Sequence, residues 1–249
     1  MCNLTKAFGK EKSLIAYFTC GDPSVEATRQ AARSAIDSGA DIIALGIPFS
    51  DPTAVDPVIQ ESNIRSLSKG TTPQDVFLLS KELSSTVPVI LLTYANVVYR
   101  LKKDVFAKKC QENGVSGVVI HDVPFEERQE FAPIFEECGV CVISTVSPSV
   151  PDRIPTIAKA AKGFVYVITD AKTTTEELEK AVEIIRLNTD AACVVGCGVA
   201  DSAPIEDFCQ YADGAMLDYE LVSIMKNNSQ DTDAALCQYV SRIDELLNR

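Results

Sequence analysis

The sequence has no run of about 18 apolar residues, so it predicts no membrane-spanning helix. It has no basic excess either: 23 Lys and Arg stand against 35 Asp and Glu, a formal charge of −12. A nucleic-acid binder needs a basic face, and an anionic bilayer repels such a chain, so both partner classes are set aside. No Pro-, Gly- or Ser-rich linker, low-complexity segment or strong repeat interrupts the chain, which predicts one domain over residues 1–249. The first twelve residues (M-C-N-L-T-K-A-F-G-K-E-K) lack the apolar stretch of a signal peptide, so a cytoplasmic protein is expected. The nine cysteines are odd in number and scattered, unlike a secreted disulfide scaffold, and read as reduced thiols. Cys138-Gly139-Val140-Cys141 is a C-x-x-C, but it lies between a helix end and a strand start. A redox pair belongs at a helix N-terminus, where the thiolate is stabilised. No metal or cofactor is expected.

What the chain does contain is a regular alternation. Apolar runs at Ser13–Thr19, Asp41–Ile47, Pro88–Tyr94, Ser116–Asp122, Val140–Thr145, Gly163–Thr169, Ala192–Gly196 and Asp213–Leu217 read as eight strands. Between and after them, Val25–Ser38, Val58–Leu67, Gln74–Ser84, Lys103–Glu112, Glu126–Glu137, Pro151–Ala161, Thr175–Leu187, Ala203–Cys209 and Thr232–Leu247 read as helices. Ser24 and Thr72-Pro73 supply N-caps and Gly39 a helix stop. The repeat of about 25–30 residues predicts an α/β fold, a single (β/α)8 TIM barrel. A doubly wound sheet is the alternative.

In such a barrel, chemistry sits on the loops that follow the strands. The most informative is within Ala40–Gln60, A-D-I-I-A-L-G-I-P-F-S-D-P-T-A-V-D-P-V-I-Q. Pro48, Pro52 and Pro57 stop strand and helix alike. They leave a shaped loop that carries Ser50, Asp51 and Asp56 just past a strand's C-terminal end.

G-D-P at 21–23, G-I-P-F-S-D-P at 46–52, P-V-I-Q at 57–60, T-Y-A-N at 93–96, D-V-P at 122–124, G-F-V-Y at 163–166 and A-D-G-A at 212–215 occur in that order. Through them the sequence resembles the α chain of tryptophan synthase over essentially its whole length. The resemblance implies the (β/α)8 barrel and cleavage of indole-3-glycerol phosphate to indole and glyceraldehyde 3-phosphate. It also implies a pyridoxal-phosphate β-chain partner in an α2β2-like complex, with no cofactor on this chain. It places a substrate pocket at Tyr17, Tyr94, Asp122, Tyr166 and Thr174, open to an indole-like ligand. It places a partner rim at Pro48, Phe49, Ser50, Asp51, Pro52 and Asn96.

Three parts of that site depart from the family pattern. The family's catalytic glutamate opens E-L-G-I-P-F-S-D-P, and here that letter is Ala44. The family's A-D-G-P or A-E-G-P carries an acid for the indole nitrogen, and here Val55 holds its place. The phosphate loops keep Gly196 and Gly198. The loop that resembles S-G-S-A in the family is instead Leu217-Asp218-Tyr219-Glu220. A carboxylate at roughly 5 Å from a phosphate charge, at an effective dielectric near 20, costs on the order of 3 kcal/mol per pair.

Each remaining candidate also has a plain structural reading. Asp51 is an Asx-turn residue before Pro52 or a partner contact. Asp56 is open to reading as a displaced acid, one residue late, where the shift changes direction as well as position. His121, the one histidine, alternates with Asp122 on its strand and reads as structural before it reads as a base. Lys172 is a loop lysine before it is a Schiff-base former. Asp218 and Glu220 are acids at a helix start, where negative charge is favourable, or a site for a cation or amine. The expectation is a non-catalytic α-like chain that activates a β-type partner. Open alternatives are an active lyase, or a repurposed or engineered barrel acting on a non-phosphorylated substrate through Asp56, His121, Asp122 or Glu220.

Overall fold

The computed structural model describes Leu4 and residues 7–9, 12–53, 55–170, 172–196, 210–227 and 231–248. Strands β1 (Ser13–Thr19), β2 (Ile42–Gly46), β3 (Val89–Thr93), β4 (Val115–Ile120), β5 (Cys141–Val142), β6 (Ser144–Val146), β7 (Phe164–Val167), β8 (Ala192–Gly196) and β9 (Gly214–Leu217) form one sheet. Its order is β5-β4-β3-β2-β1-β9-β8-β7-β6, and its ladders are parallel. The two end strands, β5 and β6, are separated in sequence by Ile143 alone, so the sheet curls until its ends meet. The single fifth strand expected at Val140–Thr145 is thus two segments. Cys141 and Val142 pair with β4, whereas Ser144–Val146 pair with β7. Ile143 still donates its N–H to Val118 O at 2.9 Å, so the change of partner takes one residue.

Alternation along the strands sorts side chains to two sides. Ile15, Tyr17, Ile42, Ala44, Ile90, Leu92, Val119, Phe164, Tyr166, Val194 and Met216 fill the barrel interior. Leu14, Ala16, Phe18, Ile43 and Leu45 face the helices. Leu4 joins the interior cluster. A Cβ on Gly117 would lie 2.8 Å from Leu4 Cδ1, so the glycine makes room for this plug.

The helices are α1 (Val25–Asp37), α2 (Pro57–Ser68), α3 (Pro73–Leu83), α4 (Ala95–Leu101), α5 (Lys103–Glu112), α6 (Ala132–Glu137), α7 (Ile154–Lys159), α8 (Thr175–Asn188), α9 (Tyr219–Asn227) and α10 (Thr232–Leu247). Two expected helices are shorter than read. Residues Phe125–Glu130 and Pro151–Arg153 are 3-10 turns ahead of α6 and α7. Pro133 and Pro155 are the second residues of those helices, and their missing N–H groups reset the hydrogen-bond ladder. α4 occupies a stretch not read as helix, and α9 is the helix whose start was expected at Asp218 and Glu220. The expected helix Ala203–Cys209 lies outside the described residues.

The cysteine reading needs one correction. Cys20, Cys110, Cys138, Cys193 and Cys237 are free, but Cys141 is disulfide-bonded. Strand alternation aims Cys141 into the interior cluster, while Cys138 packs on the outer one, so the C-x-x-C is not a pair. Among the described residues, no helix is long and apolar enough to cross a membrane.

Candidate functional site

Helix α2 organises the C-terminal end of the barrel. Asp56 is its N-cap, with Oδ1 accepting the Val58 N–H at 2.8 Å, and Pro57 takes the first helical position. On the next turns, Asn63 Oδ1 accepts the Phe49 N–H at 2.9 Å while Nδ2 donates to Ile59 O at 2.8 Å. The Phe49 ring stacks on Tyr94 at 4.8 Å, and Tyr94 lies 5.5 Å from the His121 ring. The proline-bounded loop is therefore fixed from both sides. Arg65 grips Asp22 with two hydrogen bonds, 2.8 Å and 2.7 Å, tying the β1–α1 loop to the same helix. At the rim, Ser50 Oγ donates to Asp51 Oδ2 at 2.5 Å, and both residues are exposed.

Between this loop and the strand ends of β7 to β9 lies a cavity of 430 Å³. Tyr17, Tyr166 and His121 give it rings, and Val55, Ile59, Leu92 and Ile168 give it an aliphatic wall. Asp56, Asp218, Ser147, Thr169, Asp170 and Gly196 supply its polar edge. The Tyr17 hydroxyl donates into a buried chain: Thr19 Oγ1 at 3.2 Å, then Ser62 Oγ at 2.6 Å, then Ile59 O at 2.7 Å. That direction follows because Ser62 gives its only proton to the carbonyl. Burial raises the Tyr17 phenol well above its ordinary value, so it stays protonated. Burial also pushes the Asp218 carboxyl up to about 6, with help from the nearby Asp56 charge and against the hydrogen bond from the Tyr219 N–H. Desolvation lowers His121 to about 4, so it is neutral at pH 7.

The structure brings Tyr17, Val55, Asp56, His121, Tyr166, Gly196 and Asp218 to one cavity. Ala44 is fully buried in the interior cluster and is not among the lining residues, because Tyr17, its register partner, stands beside it. Asp122 accepts the Ala95 N–H at 2.7 Å at the start of α4 and lines a neighbouring groove. Tyr94 is packed under Phe49, and Asn96 is exposed on the first turn of α4. Thr174 is exposed and forms the capping box of α8 with Glu177, so its hydroxyl serves the helix. Tyr219 and Glu220 open α9 and do not line the cavity. Lys172 is exposed, its N–H donating to Asp170 Oδ1. Gly198 lies outside the described residues. Ile59, Leu92, Ser147, Ile168, Thr169 and Asp170 also line the cavity and were not among the expected site residues. Ser147 directly follows β6, and that position alone marks it as a loop candidate. No group of three or more His, Cys, Asp or Glu fit to hold a metal occurs among the described residues.

The family model for "Tryptophan synthase alpha chain" matches residues 4–247. The chain is 34% identical to the tryptophan synthase alpha chain of Lactiplantibacillus plantarum, over 100% of this chain and 97% of that relative. Among solved structures it is similar to tryptophan synthase subunit alpha from Legionella pneumophila, with a TM-score of 0.90, 28% identity, and coverage of 99% and 98% of the two chains. It is also similar to tryptophan synthase from M. tuberculosis in its aminoacrylate-bound form, with a TM-score of 0.89 and 26% identity over 100% of both chains.

Proposed function

Because the chain belongs to the tryptophan synthase alpha chain family, we propose that it keeps the family's barrel and partner while having lost the lyase chemistry. Its role is to bind and activate a pyridoxal-phosphate-dependent β-type chain, in an α2β2-like complex, as a single cytoplasmic barrel over residues 1–249. The observation that carries this is the pair Ala44 and Val55. Retro-aldol cleavage of indole-3-glycerol phosphate needs one group to protonate the ring carbon and another to manage the ring N–H proton. Ala44 is a buried methyl, and Val55 is part of the aliphatic wall. Asp56 does not replace the lost acid in kind, since it sits one residue later and one of its oxygens caps α2. The rim loop, by contrast, is held by Asn63 and Tyr94. A fixed loop loses little entropy on docking, which suits an interface. The M. tuberculosis tryptophan synthase structure is an aminoacrylate-bound form; a pyridoxal enzyme makes that species from serine, and this supports a β-type partner.

Two assays test the reading. The chain should show no measurable cleavage of indole-3-glycerol phosphate; turnover within about tenfold of an ordinary α chain overturns it, since each lost acid–base group costs about 10²–10⁴. Titrated into its cognate β chain, it should co-migrate and raise the rate of tryptophan formation from indole and serine. If neither happens, the second reading takes its place: an enzyme for a non-phosphorylated substrate. Asp56 and His121 facing one cavity favour that reading, although its other candidates, Asp122 and Glu220, are not among the lining residues.

A further inference from the structure

We propose that the cavity at the C-terminal end of the barrel is a site for a small aromatic amine. The ring lies between Tyr17, Tyr166 and the aliphatic wall, with the ammonium group on Asp218 and Asp56. The proposal rests on the reading that this cavity no longer holds a phosphate ester, and it names what the altered site takes instead.

The charge at the site is negative. Asp56, Asp170 and Asp218 line the cavity, and no Lys or Arg side chain does so among the described residues. An anion would ordinarily dock on the free N–H groups at a helix start. Here Asp218 fills that place on α9 itself: its Oδ1 accepts the Tyr219 N–H at 2.7 Å and its carbonyl accepts the Val222 N–H at 3.0 Å. The Asp218 carboxylate accepts from the backbone N–H groups of Tyr219 and of its own residue, and Asp56 Oδ1 accepts from Val58. A carboxylate offers about four acceptor sites, so each acid keeps capacity for a further donor. An ammonium brings three donors and no acceptor, and charge-assisted bonds to carboxylates are about twice as strong as neutral ones.

The rest of the cavity selects the body of the ligand. A volume of 430 Å³ suits a small organic molecule. Ile59, Leu92 and Ile168 present aliphatic surface, and the tyrosine rings offer faces to a flat ring or to its cation. His121 is neutral near pH 7, so it adds no repulsion.

Isothermal calorimetry near neutral pH with three indoles that differ only in their end group tests this: tryptamine (cation), indole-3-ethanol (neutral) and indole-3-propionate (anion). Tryptamine should bind about tenfold or more tighter than the alcohol, with the anion weakest. In Asp218→Asn, whose amide oxygen can still accept the Tyr219 N–H, the advantage of tryptamine should fall severalfold, Asp56 keeping the remainder, while the alcohol binds as before. Equal binding of the three, or binding of none, overturns the amine site and leaves the lost-lyase reading standing. Tightest binding of indole-3-propionate, or of glycerol phosphate added as a fourth ligand, overturns both. If the variant does not fold, the ligand series on the native chain decides alone.

Discussion

Ala44 has no exposed surface, and Tyr17 faces it across the β1–β2 ladder. The Tyr17 hydroxyl lies where a side chain on Gly46 would begin, so the ring leans along β2 above Ala44. A glutamate at 44 would enter that apolar layer without a cation. Ala44→Glu should therefore destabilise the chain by about 3 kcal/mol or more in urea unfolding. Ala44→Glu with Val55→Asp should still not cleave indole-3-glycerol phosphate. Recovery of turnover by the double variant alone overturns that expectation. Two other residues in the cavity give a pH signature. Asp218 titrates at about 6 when folded, above its ordinary 3.8, so the native chain holds the extra proton in that window and stability falls as pH rises through it. His121 titrates at about 4 when folded, below its ordinary 6.5, so there the unfolded chain holds the extra proton and stability rises with pH. The two slopes oppose each other between about pH 4 and 6. Melting curves should show a falling slope in His121→Asn and a rising one in Asp218→Asn. Above pH 6, Asp218→Asn should melt higher than the parent. An unchanged melting profile in both variants overturns the assignment. At this scale the sequence was legible where an apolar letter fixes placement, as at Ala44 in the barrel interior and Val55 in the cavity wall. It was not legible at Thr174, whose hydroxyl is taken by its own helix, because capping and substrate contact ask for the same residue type.

Helix α2 does more for the site than any other element. Its N-cap residue lines the cavity, Ile59 walls it, Ser62 ends the Tyr17 chain, Asn63 holds the rim loop, and Arg65 with Ser66 holds the loop after β1. The Asp22 side chain is 2% exposed and Arg65 30%. Removing the guanidinium would leave a buried carboxylate without its counter-charge, which costs about 3–5 kcal/mol. Arg65→Ala should lower the urea midpoint accordingly, whereas Arg65→Lys, which keeps the charge and loses the two-pronged geometry, should cost less. Equal losses in the two variants would mean that packing of the stem, not the charge, holds the loop. The strands were legible as elements because buried parallel strands are plain apolar runs. Their partners were not: nothing in Val140–Thr145 announces that pairing passes from β4 to β7 at Ile143. The helix α4 was hidden because it starts directly at the end of β3, with Tyr94 as its N-cap and no capping side chain. The 3-10 turns before α6 and α7 follow from Pro133 and Pro155, a signal that the sequence does carry.

For the molecule as a whole, the interior and the rim have different fates. The interior keeps the barrel's packing, with Leu4, Phe164 and Met216 filling what the strands enclose and Ala44 buried among them. The rim keeps a prolines-and-acid loop that the fold goes to some length to position, through Asn63 beneath it and Tyr94 beside it. At its tip Asp51 is exposed, and no cation pairs with it among the described residues; its neighbour Ser50 only orients the carboxylate. An unpaired acid on a rigid, solvent-facing loop has small value for folding, because exposed charges contribute little. It has larger value in a complex, where a basic residue of the partner would be desolvated against it. Truncating one side of such a pair costs about 2–5 kcal/mol of binding. Asp51→Ala should therefore leave the melting temperature nearly unchanged and weaken both affinity for the β-type chain and the rate gain it receives. Lys180→Ala, on the exposed face of α8, should change neither. Asn63→Ala should act on the same function from behind: the Phe49 N–H loses its acceptor and exchanges faster with solvent, and activation falls although no rim side chain has been altered. If Asp51→Ala activates the β-type chain as well as the parent does, the rim loop is not the contact, and the hydrogen bond and ring stack that hold it must be referred to folding instead.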